Sequence, residues 1–205
     1  MDCPLTVGVC GSGPGAGKDS VADFVCAALR ERGIQPRRER FATSLRECVQ
    51  VLTGVSVAES QTAAGKGRHL PAWGMTVGQM LQRLGTEAVR GQLHADAWIF
   101  SLFQRLGAED VVVISDVRFP NEVAAIRARR GVVFRVERPA PPAGAADAAG
   151  AADAEAILAG RDPDHASERA LDRTAADVVI ANRGSLGDLE AAVRAAVEGL
   201  FGGAQ

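Results

Sequence analysis

The stretch LTVGVCGSGPGAGKDSVADF, Leu5–Phe24, decides the fold. Leu5–Cys10 is an apolar run of strand length that closes on a glycine. From Lys18 the apolar residues Val21, Phe24, Val25, Ala28 and Leu29 recur at helical spacing, and Gly33 suits the C′ position beyond that helix. A glycine loop joins the two. Strand, glycine loop and helix N-terminus in that order make an anion site, because glycines let successive backbone N–H groups approach a phosphate and the helix end adds positive potential. Lys18 would bring a point charge to the β- and γ-phosphates of a nucleotide.

The loop departs from the common G-x-x-x-x-G-K-[ST] pattern in two places. Counting back from Gly17, the first glycine position holds Ser12. Either Ser12 is accommodated there or the loop is one residue longer and starts at Gly11. After Lys18 the pattern calls for a hydroxyl, but Asp19 comes first and Ser20 follows.

Outward from this stretch the chain alternates. A second strand is expected over Arg37–Phe41 and a helix over TSLRECVQVLTG, ended by Gly54. Val57–Trp73 reads as a polar, glycine-rich loop or flap. Thr76 and Gln79 have capping-box spacing and open a helix with the stripe Val77, Met80, Leu81, Leu84 and Ala88. Asp96 is placed to cap the next helix. Val111–Ser115 is a continuous apolar run, as in a parallel strand covered on both faces. Pro120 suits the first turn of a helix, VVFRVE a further strand and DVVIAN the last strand. Ser185 and Asp188 cap a final helix with Leu186, Leu189, Val193 and Val197 on one side. The order implies an α/β fold: a parallel sheet of about five strands with helices on both faces, in a single domain over 1–205. Within it lie a helical region at about 43–106 and an Ala/Gly/Pro-rich lid or insertion at about 139–163. Ligands gather at the carboxyl ends of such strands. The glycine loop, Ser115–Arg118 and Ala181–Arg183 all fall there.

The bulk composition narrows the function. A chain of 205 residues with net charge -2 lacks the basic excess of a protein that wraps duplex nucleic acid. Its basic cluster, Arg30, Arg32, Arg37, Arg38 and Arg40, is interrupted by Glu31 and Glu39 and reads as a solvated surface. Cys3, Cys10, Cys26 and Cys48 form no C-x-x-C pair, which argues against zinc and a disulfide framework and for reduced thiols in a cytoplasm. No secretory signal or membrane span is legible.

Asp116 and Arg118 follow the buried strand, where a carboxylate can hold Mg²⁺ directly or through water and a guanidinium can grip a phosphate bidentately. Arg83 and Arg90, seven residues apart on a helix, would project from one side as a cationic wall, and Arg46 is a further candidate. His69 and His94 have no metal-ligand spacing. IANRGS is not the Asn-Lys-x-Asp segment of GTPases. Transfer to an acceptor that already bears a phosphate needs positioning, Mg²⁺ and arginines more than a base.

The segments GKDSVADF, MLQRLGTEAVRGQLHADAW, VVVISDVRFPNEVAAIRARRGVVFRVERP and DHASERALDRTAADVVIANRGSL occur in that order. Together they resemble the deoxynucleoside monophosphate kinases of bacteriophages, within the P-loop nucleoside and nucleotide kinases. The same skeleton is similar to animal-type phosphomevalonate kinases, with their Gly-Lys-Asp loop, Ser-Asp-x-Arg strand end and late Ser-Glu segment. The resemblance implies a P-loop kinase fold and ATP-dependent phosphoryl transfer to a (deoxy)nucleoside 5′-monophosphate, giving the diphosphate and ADP. A kinase of another phosphorylated metabolite, and a non-catalytic nucleotide-binding protein, remain as alternatives.

ATP is then expected on Ser12, Gly13, Gly15, Ala16, Gly17, Lys18, Asp19 and Ser20, with Asn182 at the adenine. Asp19 and Asp116 are the expected Mg²⁺ ligands, and Ser20 the α-phosphate contact. Lys18, Asp116, Arg118 and Arg90 are the expected catalytic set; Arg46, Arg83, Arg90 and Arg118 would hold the acceptor. The family commonly has Trp at the position of Ala88, and Arg138 and Arg161 fall where lid arginines are expected. The implied partner is a small nucleotide acceptor, not a nucleic acid duplex or a membrane, and a homodimer stays open.

Overall fold

The computed structural model describes residues 6–11, 15–107, 110–138, 171 and 176–202. The expected lid or insertion and the late Ser-Glu segment lie outside the described residues. The described chain divides into two compact units, one formed by 6–40, 105–138 and 171–202, the other by 41–104.

The first unit opens with β1 (Thr6–Gly11), α1 (Lys18–Glu31) and β2 (Arg37–Glu39). The second supplies α2 (Thr43–Thr53), α3 (Val57–Gln61), α4 (Ala63–Gly67), β3 (His69–Leu70), β4 (Met75–Thr76), α5 (Val77–Gln82), a π-helix over Arg83–Leu93, and α6 (Ala97–Phe103). The first resumes with β5 (Val112–Ile114), α7 (Pro120–Ala128), β6 (Val132–Glu137), β7 (Val178–Ala181) and α8 (Leu186–Gly202).

The five strands of the first unit pair in the order β2-β5-β1-β6-β7, every pairing parallel. From β1 the chain crosses to β2 and β5 on one side and later to β6 and β7 on the other. The carboxyl end of β1 is therefore the switch point at which an open α/β sheet forms its crevice. Strand periodicity assigns the faces. Val7 and Val9 join Val21, Val25 and Leu29 of α1, Leu189, Val193 and Val197 of α8, and Phe134 in one core. Gly8 points the other way, where a Cβ would meet Val117 Cγ2 at 3.0 Å beside Ile126 of α7. The sheet thus has helices on both faces, as expected for the α/β fold, and the glycine loop follows its central strand.

The structure revises several expectations. β2 ends at Glu39, opposite Ile114, rather than at Phe41. Phe41 instead meets Phe103 edge-on, with ring centroids 6.1 Å apart, inside the second unit. Val57–Trp73 is not a loop or flap. Ser56 Oγ accepts from Glu59 N and Thr62 Oγ1 from Gly65 N, so two caps open the short helices α3 and α4. A two-stranded antiparallel pairing of β3 with β4 follows.

The Thr76/Gln79 capping box is present. Beyond it the expected stripe fails at Ala88, which is exposed. From Arg83 the turns widen to i→i+5 bonding, and the buried positions become Val77, Gly78, Met80, Gln82 and Gly85. Trp98 Nε1 donates to the Gly85 carbonyl at 2.9 Å, a side-chain bond inserted where the helix is distorted. Asp96 stands at the N-cap of α6 but makes no side-chain cap bond. Leu186, expected in the α8 stripe, is 63% exposed, while Leu189, Val193 and Val197 are buried.

Among the described residues Phe134 is the largest fully buried side chain. Phe134→Ala should lower unfolding free energy by about 3–5 kcal/mol in urea denaturation; a loss under about 1 kcal/mol would mean that the sheet is not the core of this unit.

Candidate active site

The glycine loop leaves the carboxyl end of β1 and enters α1. Gly15 (φ 71°) and Gly17 (φ 97°) take left-handed backbone, and Gly17 is the N-cap of α1 with no side-chain cap bond. The N–H groups of the first helical turn therefore receive no cap from a side chain at that position. Two donors from the far strands hold the loop by its carbonyls. Asn182, just past β7, donates from Nδ2 to Ala16 O at 2.9 Å, and Arg138, just past β6, donates from Nη1 to Gly15 O at 3.2 Å. An anion is recognised by amide donors, so partnering the carbonyls suits an anion site. Ser12 and Gly13 lie outside the described residues, as does Arg161.

Lys18 crosses the end of β1. A Cβ on Gly11 would stand 2.9 Å from Lys18 Cγ, so a side chain there would displace the lysine. The neighbouring Cys10 thiol is pushed up from its ordinary pKa by burial, while Arg135 and Lys18 pull it back in part. Positive charge is thus gathered under the loop.

Past β5 the chain stays tied to the sheet. Ser115 N donates to Glu39 O at 3.3 Å and Val117 N to Val9 O at 3.2 Å. These bonds fix Asp116 and Arg118 at the same sheet end as the loop. Glu122 completes the segment. Only 2% exposed, it accepts from Arg118 N at 2.7 Å and Phe119 N at 3.1 Å through Oε2. Sequence reasoning passed over Glu122. Its signal was the N3 position behind Pro120, where a carboxylate reaches back to the helix start.

Asp19 lies in the first turn of α1. Its Oδ1 accepts from Arg38 Nη2 at 3.0 Å and from Arg40 Nη2 at 2.6 Å. The arginine cluster is thus not simply a solvated surface: Arg37 pairs with Asp110, and Arg194 binds Glu31 and Glu190 beyond it. Among the described residues no group of three or more His, Cys, Asp or Glu is arranged to hold a metal. Nucleotide Mg²⁺ needs no such group, because one or two protein oxygens and the phosphates suffice. Asp19 and Asp116, at one sheet end, fit that requirement.

The second unit holds the other expected arginines. Arg46 Nη1 donates to the Ser60 carbonyl and to Ser60 Oγ. Arg90 Nη1 donates to Ala95 O at 2.8 Å. Arg83 lines an open, mainly apolar groove of about 410 Å³ with Leu52, Trp73, Met75, Met80, Leu84, Glu87 and Ala88. A π-helix takes roughly four and a half residues per turn, so seven residues span about one and a half turns. Arg83 and Arg90 accordingly do not form the single wall that α-helical spacing predicts. Among the described residues no helix is long and apolar enough to cross a membrane.

Fold and loop together define an α/β protein with a five-stranded parallel sheet and a glycine loop at its switch point. No family model matches the chain. Over 51 residues, 24% of this chain and 20% of the relative, it is 45% identical to the deoxynucleoside-5′-monophosphate kinase of Escherichia phage T5. The match therefore spans about a fifth of that relative's length. Among solved structures it is similar to the APS kinase of Mycobacterium tuberculosis in complex with AMPPNP and APS, at 16% identity and TM-score 0.47, covering 98% of this chain and 99% of that one. It is also similar to dephospho-CoA kinase from Campylobacter jejuni, at 12% identity and TM-score 0.40, covering 96% and 97%.

Glu122→Ala should leave two backbone donors without their acceptor and cost about 2–4 kcal/mol in chemical denaturation; unchanged stability would contradict the role given to this carboxylate.

Proposed function

We propose that the chain is an ATP-dependent phosphotransferase acting on a (deoxy)nucleoside 5′-monophosphate. The supporting observation is the convergence, at one end of one parallel sheet, of the glycine loop with Lys18, the Asp116–Arg118 segment and Asn182. The partial identity to the phage T5 enzyme favours a nucleotide as acceptor.

In this reading the loop amides and Lys18 hold the β- and γ-phosphates, and Asn182 lies at the adenine side. An acceptor phosphate oxygen attacks the γ-phosphorus. The bond to the β–γ bridging oxygen breaks, and ADP leaves with that electron pair. Arg118 binds the transferring phosphoryl group, and Arg83, Arg90 and Arg46, although they form no single wall, are the candidates for the rest of the acceptor. Asp116 and Asp19 would hold Mg²⁺, which neutralises charge on the phosphates when bound. No base is required of the protein, since an acceptor phosphate oxygen is already ionised at neutral pH. Buried, unbridged Cys10 and Cys26 suit a reducing cytoplasm.

The test is ADP release with Mg²⁺–ATP against a panel of dNMPs, NMPs and phosphomevalonate. ADP formation stimulated by a dNMP or NMP is expected. Stimulation by phosphomevalonate alone would move the acceptor to another class, and no stimulation by any of them would sink the kinase reading. Lys18→Ala should cost about 10²-fold or more in kcat; an unchanged kcat would remove Lys18 from the mechanism.

A further inference from the structure

β2 sorts its arginines by face. Arg37 turns to Glu39 and Asp110, whereas Arg38 and, two residues on, Arg40 turn to the first turn of α1. There both guanidiniums converge on a single oxygen, Asp19 Oδ1, while Arg38 Nε holds Asp23 at 3.1 Å. The arginines are well covered, with side chains 23% and 27% exposed, and Asp19 is 61% exposed. The cations are therefore built in and the anion sits at the rim. Arg38 also retains donor capacity: its Nη1 is buried with no hydrogen-bond partner. An oxygen between two Nη2 atoms, beside a further unmet donor, marks a place where a multidentate anion is better matched than a single carboxylate oxygen.

We propose that Arg38 and Arg40 form a second anion site, distinct from the glycine loop, which takes the phosphomonoester of the acceptor. In this scheme Asp19 is its internal stand-in anion. Asp19 also lies next to Lys18, where a nucleotide-bound cation can draw the carboxylate off the guanidiniums. Filling the loop then opens the acceptor site, and an empty loop keeps it closed. The proposal rests on the reading of the chain as a kinase of a phosphate-bearing acceptor.

The test is calorimetric binding of inorganic phosphate to the full chain with its loop saturated by AMPPNP, in Mg²⁺ and, separately, in EDTA. The wild type should bind phosphate about tenfold more tightly in Mg²⁺. Arg38→Gln and Arg40→Gln should each lose about tenfold of that affinity and less than about threefold in AMPPNP affinity. Asp19→Asn should bind phosphate as tightly in EDTA as the wild type does in Mg²⁺. Undetectable phosphate binding, indifference to Mg²⁺, or binding untouched by the arginine substitutions overturns the proposal. So does an equal loss of AMPPNP affinity, which would place the arginines in the ATP site. Acceptor-dependent ADP release reads the kinase assignment separately, so either can fail without the other.

Discussion

Lys18 lies across the end of β1, and a single methyl group on Gly11 would stand 2.9 Å from its stem. That close approach ties the central strand to the first turn of α1. It depends on Gly17, whose left-handed backbone turns the chain into the helix while leaving Asn182 room at the loop; a Cβ there would stand 2.7 Å from Asn182 Nδ2. The parallel sheet makes the arrangement rigid. β1 is paired on both sides, so the loop is anchored at the point where strand connections diverge. The loop is thus a property of the middle of the sheet, while Asp116, Arg118, Arg138 and Asn182 come from neighbouring strand ends.

The electrostatics around the loop follow one pattern. Positive groups are brought close and then occupied by protein acceptors: Arg138 by the Gly15 carbonyl, Arg38 and Arg40 by Asp19. A site with this much cationic charge would be costly if its guanidiniums were buried without partners. Internal acceptors relieve that cost. Farther out, Arg194 bridges α8 to α1 through Glu31, whose carboxyl its hydrogen bond holds below the usual range. That pair ties the two helices together.

Much of the fold was legible because its elements are regular. β1 and β5 are short apolar runs, the α8 stripe has helical period at Leu189, Val193 and Val197, and both capping boxes stand at their expected spacing. The misses have local causes. Residues 57–67 carry no apolar period, and their helices rest on Ser56 and Thr62 caps that resemble ordinary loop residues. The widened helix that starts at Arg83 takes the Trp98 side-chain bond at Gly85, thirteen positions before the tryptophan, so no window on the helix alone reveals it. That the glycine loop, Asp116, Arg118 and Asn182 fall at strand ends was legible from the order of the elements. The partners of Asp19 could not, because they are 19 and 21 residues distant and meet it only when β2 joins the sheet.

In this mechanism the Gly15–Ser20 turn recognises a polyphosphate through backbone amides and Lys18. Calorimetric titration of the full chain with ATP and with AMP, both in Mg²⁺, tests it most directly. ATP should bind at least about tenfold more tightly than AMP, and Lys18→Ala should erase most of the difference. Equal affinity for the two nucleotides, or a preference for ATP that survives Lys18→Ala undiminished, would contradict it.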